Sequence, residues 1–150
     1  MSKLAKNNIE FRSLCPVATG LDVIGDKWTL LILRDMIWGH KTMFNEFKTS
    51  PEHMPSKMLS NRLKKLEELG YISKNKGSIN KKNIYYFLEP KGLETLPMMV
   101  EMAMFTTKHY YDHLGNTYTK DVKTKMVKNK AAYITEMNKS YKTFVKTLFI

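Results

Sequence analysis

The sequence predicts a mainly α-helical fold with one small β-hairpin, an α+β class in which helices dominate. Three observations support this class. Apolar residues recur every three or four positions over most of the 150 residues, which is the period of an amphipathic helix. Between Tyr71 and Leu88 the period shortens to about two, as expected of strands. The hydrophobic fraction of 43% is high enough for a folded core.

Two helices are predicted before residue 40. The first begins at Cys15-Pro16, because proline fits a first helical turn. The second covers Lys27 to Ile37, and Asp26 is a good N-cap for it. Its expected buried face consists of Trp28, Leu31, Ile32 and Met36. A short β-like piece at 42–44 and a small helix at 45–48 should follow.

The most regular stretch runs from Pro55 to Leu88. Its helix carries one apolar stripe, formed by Leu59, Leu63, Leu66 and Leu69. Gly70 follows where a left-handed C-terminal cap is wanted. Two β-rich runs, 71–74 and 84–88, then flank a polar loop that holds Asn75, Lys76, Gly77, Lys81, Lys82 and Asn83. A helix of major-groove dimensions followed by a basic hairpin is the arrangement of a winged helix-turn-helix.

The remainder of the chain is predicted to be helical. One pattern runs from Leu93 to Leu114, with Pro97 either kinking it or marking its first turn, until Gly115-Asn116 breaks it. Residues 118–150 form a basic amphipathic pattern in two pieces, whose apolar stripe needs a partner surface. We therefore divide the chain into an N-terminal arm (1–14), a winged-helix domain (15–92) and a C-terminal helical dimerisation region (93–150).

The net charge of +11 is unevenly distributed. Nine basic residues stand against three acidic ones in 56–91, and eight lysines against two acids in 114–150. Such clusters attract polyanions, although a solvated lysine-rich surface would have the same composition.

No apolar run reaches the roughly 18 to 20 residues of a membrane span. The N-terminus lacks a secretion signal, and one cysteine, Cys15, excludes an internal disulfide, so the cytoplasm is the expected location.

Several segments, in this order, resemble the signatures of HxlR-type winged-helix transcriptional regulators of the MarR-like superfamily. They are Cys15-Pro16-Val17, Leu21 to Arg34, Phe44 to Phe47, Leu59 to Gly70 and Leu96-Pro97. The resemblance implies a homodimer that binds inverted-repeat operators and dimerises through helices from the two ends of the chain. Some relatives use the cysteine of the Cys-Pro motif to sense electrophiles or oxidants, which Cys15 would do here. Pro55 stands where the family usually has an N-capping serine, so we expect Ser56 to take over that role. The tail beyond Gly115 is longer than the family norm.

The candidate DNA contacts fall into two classes. Base-edge candidates are Ser56, Lys57, Ser60 and Asn61, whose side chains can pair with base edges. Phosphate candidates are Arg62 and Lys64 on the helix and Lys74, Lys76, Lys81 and Lys82 on the wing. The alternative is a solvated helix face and an ordinary polar loop.

Other residues admit two interpretations each. Cys15 is either a sensor activated by a helix start or an inert, buried thiol. Trp28, Leu31 and Trp38 are core residues or line a ligand pocket. His109 and His113, one helical turn apart, are a polar rim or part of a metal site, which would need further ligands. No phosphate loop or catalytic motif occurs, so we expect no enzyme activity, no metal and no cofactor.

These observations predict a dimeric, sequence-specific DNA-binding regulator of transcription, a repressor or an activator, whose partners are double-stranded DNA and a second copy of the chain. The alternative is a basic winged-helix module that binds RNA, a protein or, through its amphipathic tail, an anionic membrane. We expect no stable membrane association, and the sequence does not identify a small-molecule effector.

Overall fold

The computed structural model describes residues 9–77 and 82–148, except for the side chains of 115–118. The chain divides into two compact units, Met1–Gly92 and Leu93–Ile150. Helices dominate both, and a two-stranded antiparallel sheet lies in the first. The predicted class, mainly α with a small β-hairpin, is confirmed.

The first unit opens with two helices, α1 (Pro16–Ile24) and α2 (Lys27–Ile37), and both begin where the sequence predicts. Pro16 lies in the first turn of α1. Asp26 caps α2, because its Oδ1 accepts a hydrogen bond from the backbone N–H of Thr29 at 3.1 Å. Such a cap satisfies one of the amide groups that a helix leaves unpaired at its start.

The buried face of α2 differs from the predicted one. Ile32 and Met36 are fully buried as expected, but Trp28 and Leu31 are half-buried. The core positions of α2 are instead Thr29, Ile32, Leu33, Met36 and Ile37. The buried stripe is thus rotated by one residue from the predicted face, and Trp28 lies at its edge.

A helix-turn-helix follows, made of α3 (Phe44–Phe47) and α4 (Ser56–Glu68). Helix α3 begins one residue earlier than predicted. The β-like piece before it reduces to a single bridge, in which Met43 pairs with Tyr85. Phe47 is buried, and Phe44 is half-buried.

Helix α4 has the predicted amphipathic character. Leu59, Leu63, Leu66 and the following Leu69 are buried. Gly70 has φ 74°, so the predicted left-handed cap is confirmed. The expected N-cap role of Ser56 is wrong, because helical hydrogen bonding already starts at the carbonyl of Pro55, which accepts from Leu59 N at 2.9 Å. Pro55 is the N-cap residue, and its side chain makes no capping bond.

The hairpin consists of β1 (Ile72–Lys76) and β2 (Ile84–Leu88), paired from Ile72 with Leu88 to Lys76 with Ile84. Asn75 and Lys76 were predicted to lie in the loop, and this is wrong. They extend β1 because the ladder continues past them, where Gly77 N donates to the carbonyl of Asn83 at 2.9 Å.

A short helix, α5 (Pro90–Leu93), lies at the boundary, and its last residue begins the second unit. That unit contains α6 (Leu96–His109), α7 (Tyr111–Asp121), a π-helical turn (Val122–Met126) and α8 (Lys130–Thr147). Pro97 marks the first turn of α6, which was one of its two predicted roles. The helical pattern does not break at Gly115-Asn116, which lie within α7. It breaks at Tyr110, whose φ of −130° and ψ of 32° are not helical.

The tail packs against its own unit. Both the π-helical turn and α8 contact α6. The buried apolar residues of the tail are Val122, Met126, Tyr133 and Tyr141. Asn129 caps α8 by accepting from the N–H of Ala132 at 3.1 Å. The stripe therefore has its partner surface within its own chain at these four residues, and the dimerisation role expected of residues 93–150 stays a prediction.

Candidate nucleic-acid interface

The outer face of α4 is polar, basic and open to solvent. Its exposed members are Ser56, Lys57, Ser60, Asn61 and Lys64. The leucines on the opposite side of the same helix are buried. A helix of 13 residues is about 20 Å long, which is suited to lie in a DNA major groove. All four predicted base-edge residues and Lys64 thus share one accessible surface.

Arg62 differs from these neighbours, because its side chain turns towards α2. Its Nε donates to Oδ1 of Asp26 at 2.9 Å, and its side chain is 25% exposed. Lys65 also bridges backward, donating to the carbonyl of Asp22 at 3.2 Å. These two contacts orient α4 against the first two helices. Arg62, which was predicted to contact phosphate, therefore has a structural role as the ion-pair partner of Asp26.

Asp26 serves both helices at once. It accepts hydrogen bonds from Thr29 at the start of α2 and from Arg62 on α4. Burial alone would raise the pKa of this carboxyl, but the hydrogen bonds from Thr29 and Arg62 outweigh it and lower the pKa. The carboxylate therefore stays ionised at neutral pH, as a cap and as an ion-pair partner.

A second polar cluster joins the end of α2 to the turn before α4. The buried carboxylate of Asp35 accepts from Lys41 Nζ at 3.0 Å and from the hydroxyl of Ser50. It also accepts from Arg34 Nη2 at 2.7 Å, while the same guanidinium binds both oxygens of Glu52. This cluster fixes the turn between α3 and α4, and hence the direction in which α4 begins.

The ion pair between Arg34 and Glu52, at the edge of this cluster, shifts the pKa values of both residues. The hydrogen bond from Arg34 holds the pKa of Glu52 below its usual range. In turn, the hydrogen bond to Glu52 raises the pKa of Arg34. Both groups are charged at neutral pH, so the contact persists under ordinary conditions.

Sequence reasoning missed the Asp35 cluster. A signal was present, because Asp35 lies among the apolar positions of α2, and a charge buried there needs partners. Its partners Lys41 and Ser50 come from 6 and 15 residues further along the chain, and no local pattern connects them.

The wing supplies further basic groups. Lys76 and Lys82 are exposed. Lys74 is also exposed but pairs with Glu67 at 3.0 Å, and the hydrogen bond to Glu67 raises its pKa. Lys81, the fourth predicted wing contact, lies outside the described residues. The wing is therefore basic at its described positions, although one of its lysines is held by an acid on α4.

The remaining candidate residues do not come together as a site. Cys15 is exposed at the start of α1. Trp28, Leu31 and Trp38 are half-buried, so they are not fully buried core residues. His109 ends α6 and its ring lies 4.7 Å from that of Phe105, while His113 belongs to α7. The break at Tyr110 separates the two imidazoles onto different helices, so the predicted one-turn spacing on a single helix is wrong.

The described residues offer neither a cluster of metal ligands nor a membrane-spanning helix. No group of three or more His, Cys, Asp or Glu residues there is arranged to hold a metal ion. Within the same part of the chain, no helix combines the length and the apolarity needed to cross a membrane.

Comparison with known proteins identifies the family. The sequence profile described as HxlR-like helix-turn-helix matches residues 23–114. The chain belongs to the HxlR-like family. Two relatives from Bacillus subtilis strain 168, both described as uncharacterised helix-turn-helix transcriptional regulators, are similar to it. YdeP is 33% identical over 95 residues, covering 63% of this chain and 73% of its own. YybR is 32% identical over 97 residues, covering 65% and 77%.

Two solved structures have a fold similar to that of this chain. PA1607, described as a candidate transcription factor, has a TM-score of 0.61 and 30% identity, covering 70% of this chain and 72% of its own. The reduced form of the Bacillus subtilis transcriptional regulator YodB has a TM-score of 0.54 and 21% identity, over 69% and 100% of the two chains, and shows the shared fold. The predicted winged helix-turn-helix and the family resemblance are both confirmed. The protein is a transcriptional regulator with a DNA-binding helix-turn-helix fold, from a family of regulators rather than enzymes.

Proposed function

We propose that the protein binds an inverted-repeat operator as a homodimer, with α4 of each subunit in the major groove. The observation that carries this proposal is the outer face of α4, where polar and basic side chains are exposed while the leucines of the same helix are buried. In a symmetric dimer, two such helices would meet successive major grooves about 34 to 36 Å apart.

The side chains divide by the chemistry they offer. Asn61 can pair bidentately with adenine, Lys57 can donate to guanine, and the hydroxyls of Ser56 and Ser60 can contact several bases. Lys64, Lys76 and Lys82 are exposed cations suited to phosphate, and we include Lys81 with them. Lys74 would have to break its ion pair with Glu67 in order to bind a phosphate.

Two apolar surfaces support dimerisation through both ends of the chain. On α1, Val17 is 72% exposed and Leu21 is 57% exposed. On α6, Met98, Met102 and Phe105 are exposed at the spacing of one helical stripe. Exposed apolar stripes of this kind mark interaction surfaces, and a second copy of the chain would cover them.

We further propose that Cys15 makes the regulator responsive to oxidants or electrophiles. Its thiol is exposed at the start of α1, where an oxidant or electrophile in solution can reach it. Because the partner is DNA, the proposal places the protein in the cytoplasm.

The alternative, a basic winged helix that binds membrane, RNA or protein, has weaker support. Insertion of the amphipathic tail into a membrane would need its apolar face free, and Tyr133 and Tyr141 are buried in their own unit.

Selection of bound duplexes from a random pool tests the proposal. We expect an inverted repeat to be enriched. The variant Asn61→Ala should relax the preference at one base pair in each half-site, with a cost of about 1 to 3 kcal/mol. The control Lys64→Ala should weaken all duplexes alike. Failure to enrich a palindrome, or an unaltered preference in Asn61→Ala, would overturn the assignment of α4.

A further inference from the structure

The lysines of α8 form a surface that the helix-turn-helix does not account for. Lys139, Lys142 and Lys146 are all exposed, and their spacing of three and four residues places them on one face of the helix. We propose that this face, the α8 lysine face, is a second DNA-binding surface that contacts the phosphate backbone without regard to sequence. The proposal rests on the proposed function, since it assumes that the protein acts on DNA.

The two faces of α8 have different uses. Tyr133 and Tyr141 are buried, and Met137 and Phe144 are half-buried, on the side opposite to the lysines. That side packs within the second unit, where α8 contacts α6. Only the charged face is therefore left to bind a partner, and the partner must be recognised by charge rather than by apolar contact.

The three lysines of this face make no ion pair within the described part of the chain, although the exposed acid Glu136 lies three residues before Lys139. Three of the other five tail lysines have partners: Lys125 lies 3.6 Å from Asp121, Lys130 pairs with Glu101, and Lys123 lies 3.6 Å above the ring of Tyr111. Among residues 9–77 and 82–148, no acid pairs with Lys139, Lys142 or Lys146. Three cations without an ion-pair partner repel each other, and a polyanion relieves that repulsion.

The dimensions of the face match one DNA strand. Lys139 and Lys146 are seven residues apart, which is about 10 Å along the helix axis. Phosphates of one strand rise by about 3.4 Å each along the duplex axis, so a helix lying along the duplex would pass roughly three of them over this length. The face also lies beyond residues 23–114, the part that matches the family. It therefore adds to the family's DNA contact rather than repeating it.

Salt titration of the full-length protein on a random-sequence duplex tests this proposal. The variant K139Q/K142Q/K146Q should flatten the slope of log K against log salt by about two to three units, close to 0.9 per lost phosphate contact. The matched control K123Q/K125Q/K130Q removes the same charge from lysines with partners in the chain, and should change the slope by less than about one unit. A third variant with arginine at positions 139, 142 and 146 should keep the wild-type slope.

Each other outcome has a defined meaning. Equal flattening in the first variant and its control would show an effect of net charge, and the α8 lysine face would be discarded. A wild-type slope in the first variant, with circular dichroism showing a folded protein, would overturn this inference alone. A wild-type protein that binds no duplex would overturn the proposed function as well. Lysine-dependent binding to phosphatidylserine vesicles, with an unchanged duplex slope, would replace DNA by a membrane surface.

Discussion

Arg62 on α4 donates its Nε–H to the carboxylate of Asp26 at the start of α2, over 2.9 Å. Two residues further along the same helix, Lys64 is exposed, and its contact with Glu68 is a long one of 3.8 Å between surface side chains. Two cations of one helix thus have different surroundings. One holds the helix in place, and the other faces solvent.

This difference leads to a paired prediction for α4. Arg62→Ala should lower the free energy of unfolding by about 1 to 3 kcal/mol, because it removes a hydrogen bond between charged, half-buried groups. Lys64→Ala should hardly change stability but should flatten the salt slope of DNA binding by about 0.9. Urea unfolding and salt titrations of both variants measure the contrast. If Arg62→Ala flattens the slope as much as Lys64→Ala and leaves stability unchanged, Arg62 is a phosphate contact.

The ion pair between Arg34 and Glu52 predicts a dependence of stability on pH. Arg34 Nη2 donates to Glu52 Oε2 at 2.9 Å, and the pKa of Glu52 lies below its ordinary value of 4.5. A carboxyl whose pKa is lowered by folding stabilises the fold at pH values above its ordinary pKa. This stabilisation is lost as the pH falls through the lowered pKa. Glu52→Gln should therefore cost something under about 1 kcal/mol at about pH 7, since the pair is partly exposed, and less than that near pH 3. Urea midpoints at the two pH values measure this, and an equal cost at both would contradict it.

Much of the first unit could be predicted from local signals. Proline and aspartate mark the starts of α1 and α2, the leucine period defines the buried face of α4, and Gly70 supplies its cap. These features depend on residues within one or two helical turns of each other, so a sequence pattern contains them. The hairpin was predicted for the same reason, apart from the extra length of β1.

The features that sequence reasoning missed depend on distant partners. Asp35 finds Ser50 across 15 residues, and Arg62 finds Asp26 across 36. The tail stripe was identified, but nothing local shows that α6 covers it. Tyr110 is an aromatic residue inside an apolar pattern, so the sequence gives no sign that its backbone leaves the helix. Gly115 is a residue that often ends a helix, yet it remains within α7.

The single cysteine provides a clean test of redox response. In reducing buffer, Cys15→Ser should bind DNA like the wild type, because the thiol makes no capping bond in α1. Peroxide should release the wild type from DNA by oxidising the cysteine to sulfenic acid, and Cys15→Ser should not respond. Gel shifts with and without peroxide, followed by thiol reduction, measure this. Release that persists in Cys15→Ser would assign the response to another group, such as an oxidised methionine.

The exposed stripe of α6 predicts how the dimer forms. Phe105 is 60% exposed and Met102 is 49% exposed on the same face of this helix. If a second chain covers them, Met102→Ser/Phe105→Ser should weaken dimerisation at least about tenfold, as expected for the loss of a buried aromatic anchor. Lys64→Ser, at an exposed position of α4 outside this stripe, serves as the control and should leave the dimer intact. Sedimentation over a range of concentrations measures the dissociation constants. If the double variant and the control have equal constants, the dimer interface lies elsewhere and the exposure of this stripe needs another explanation.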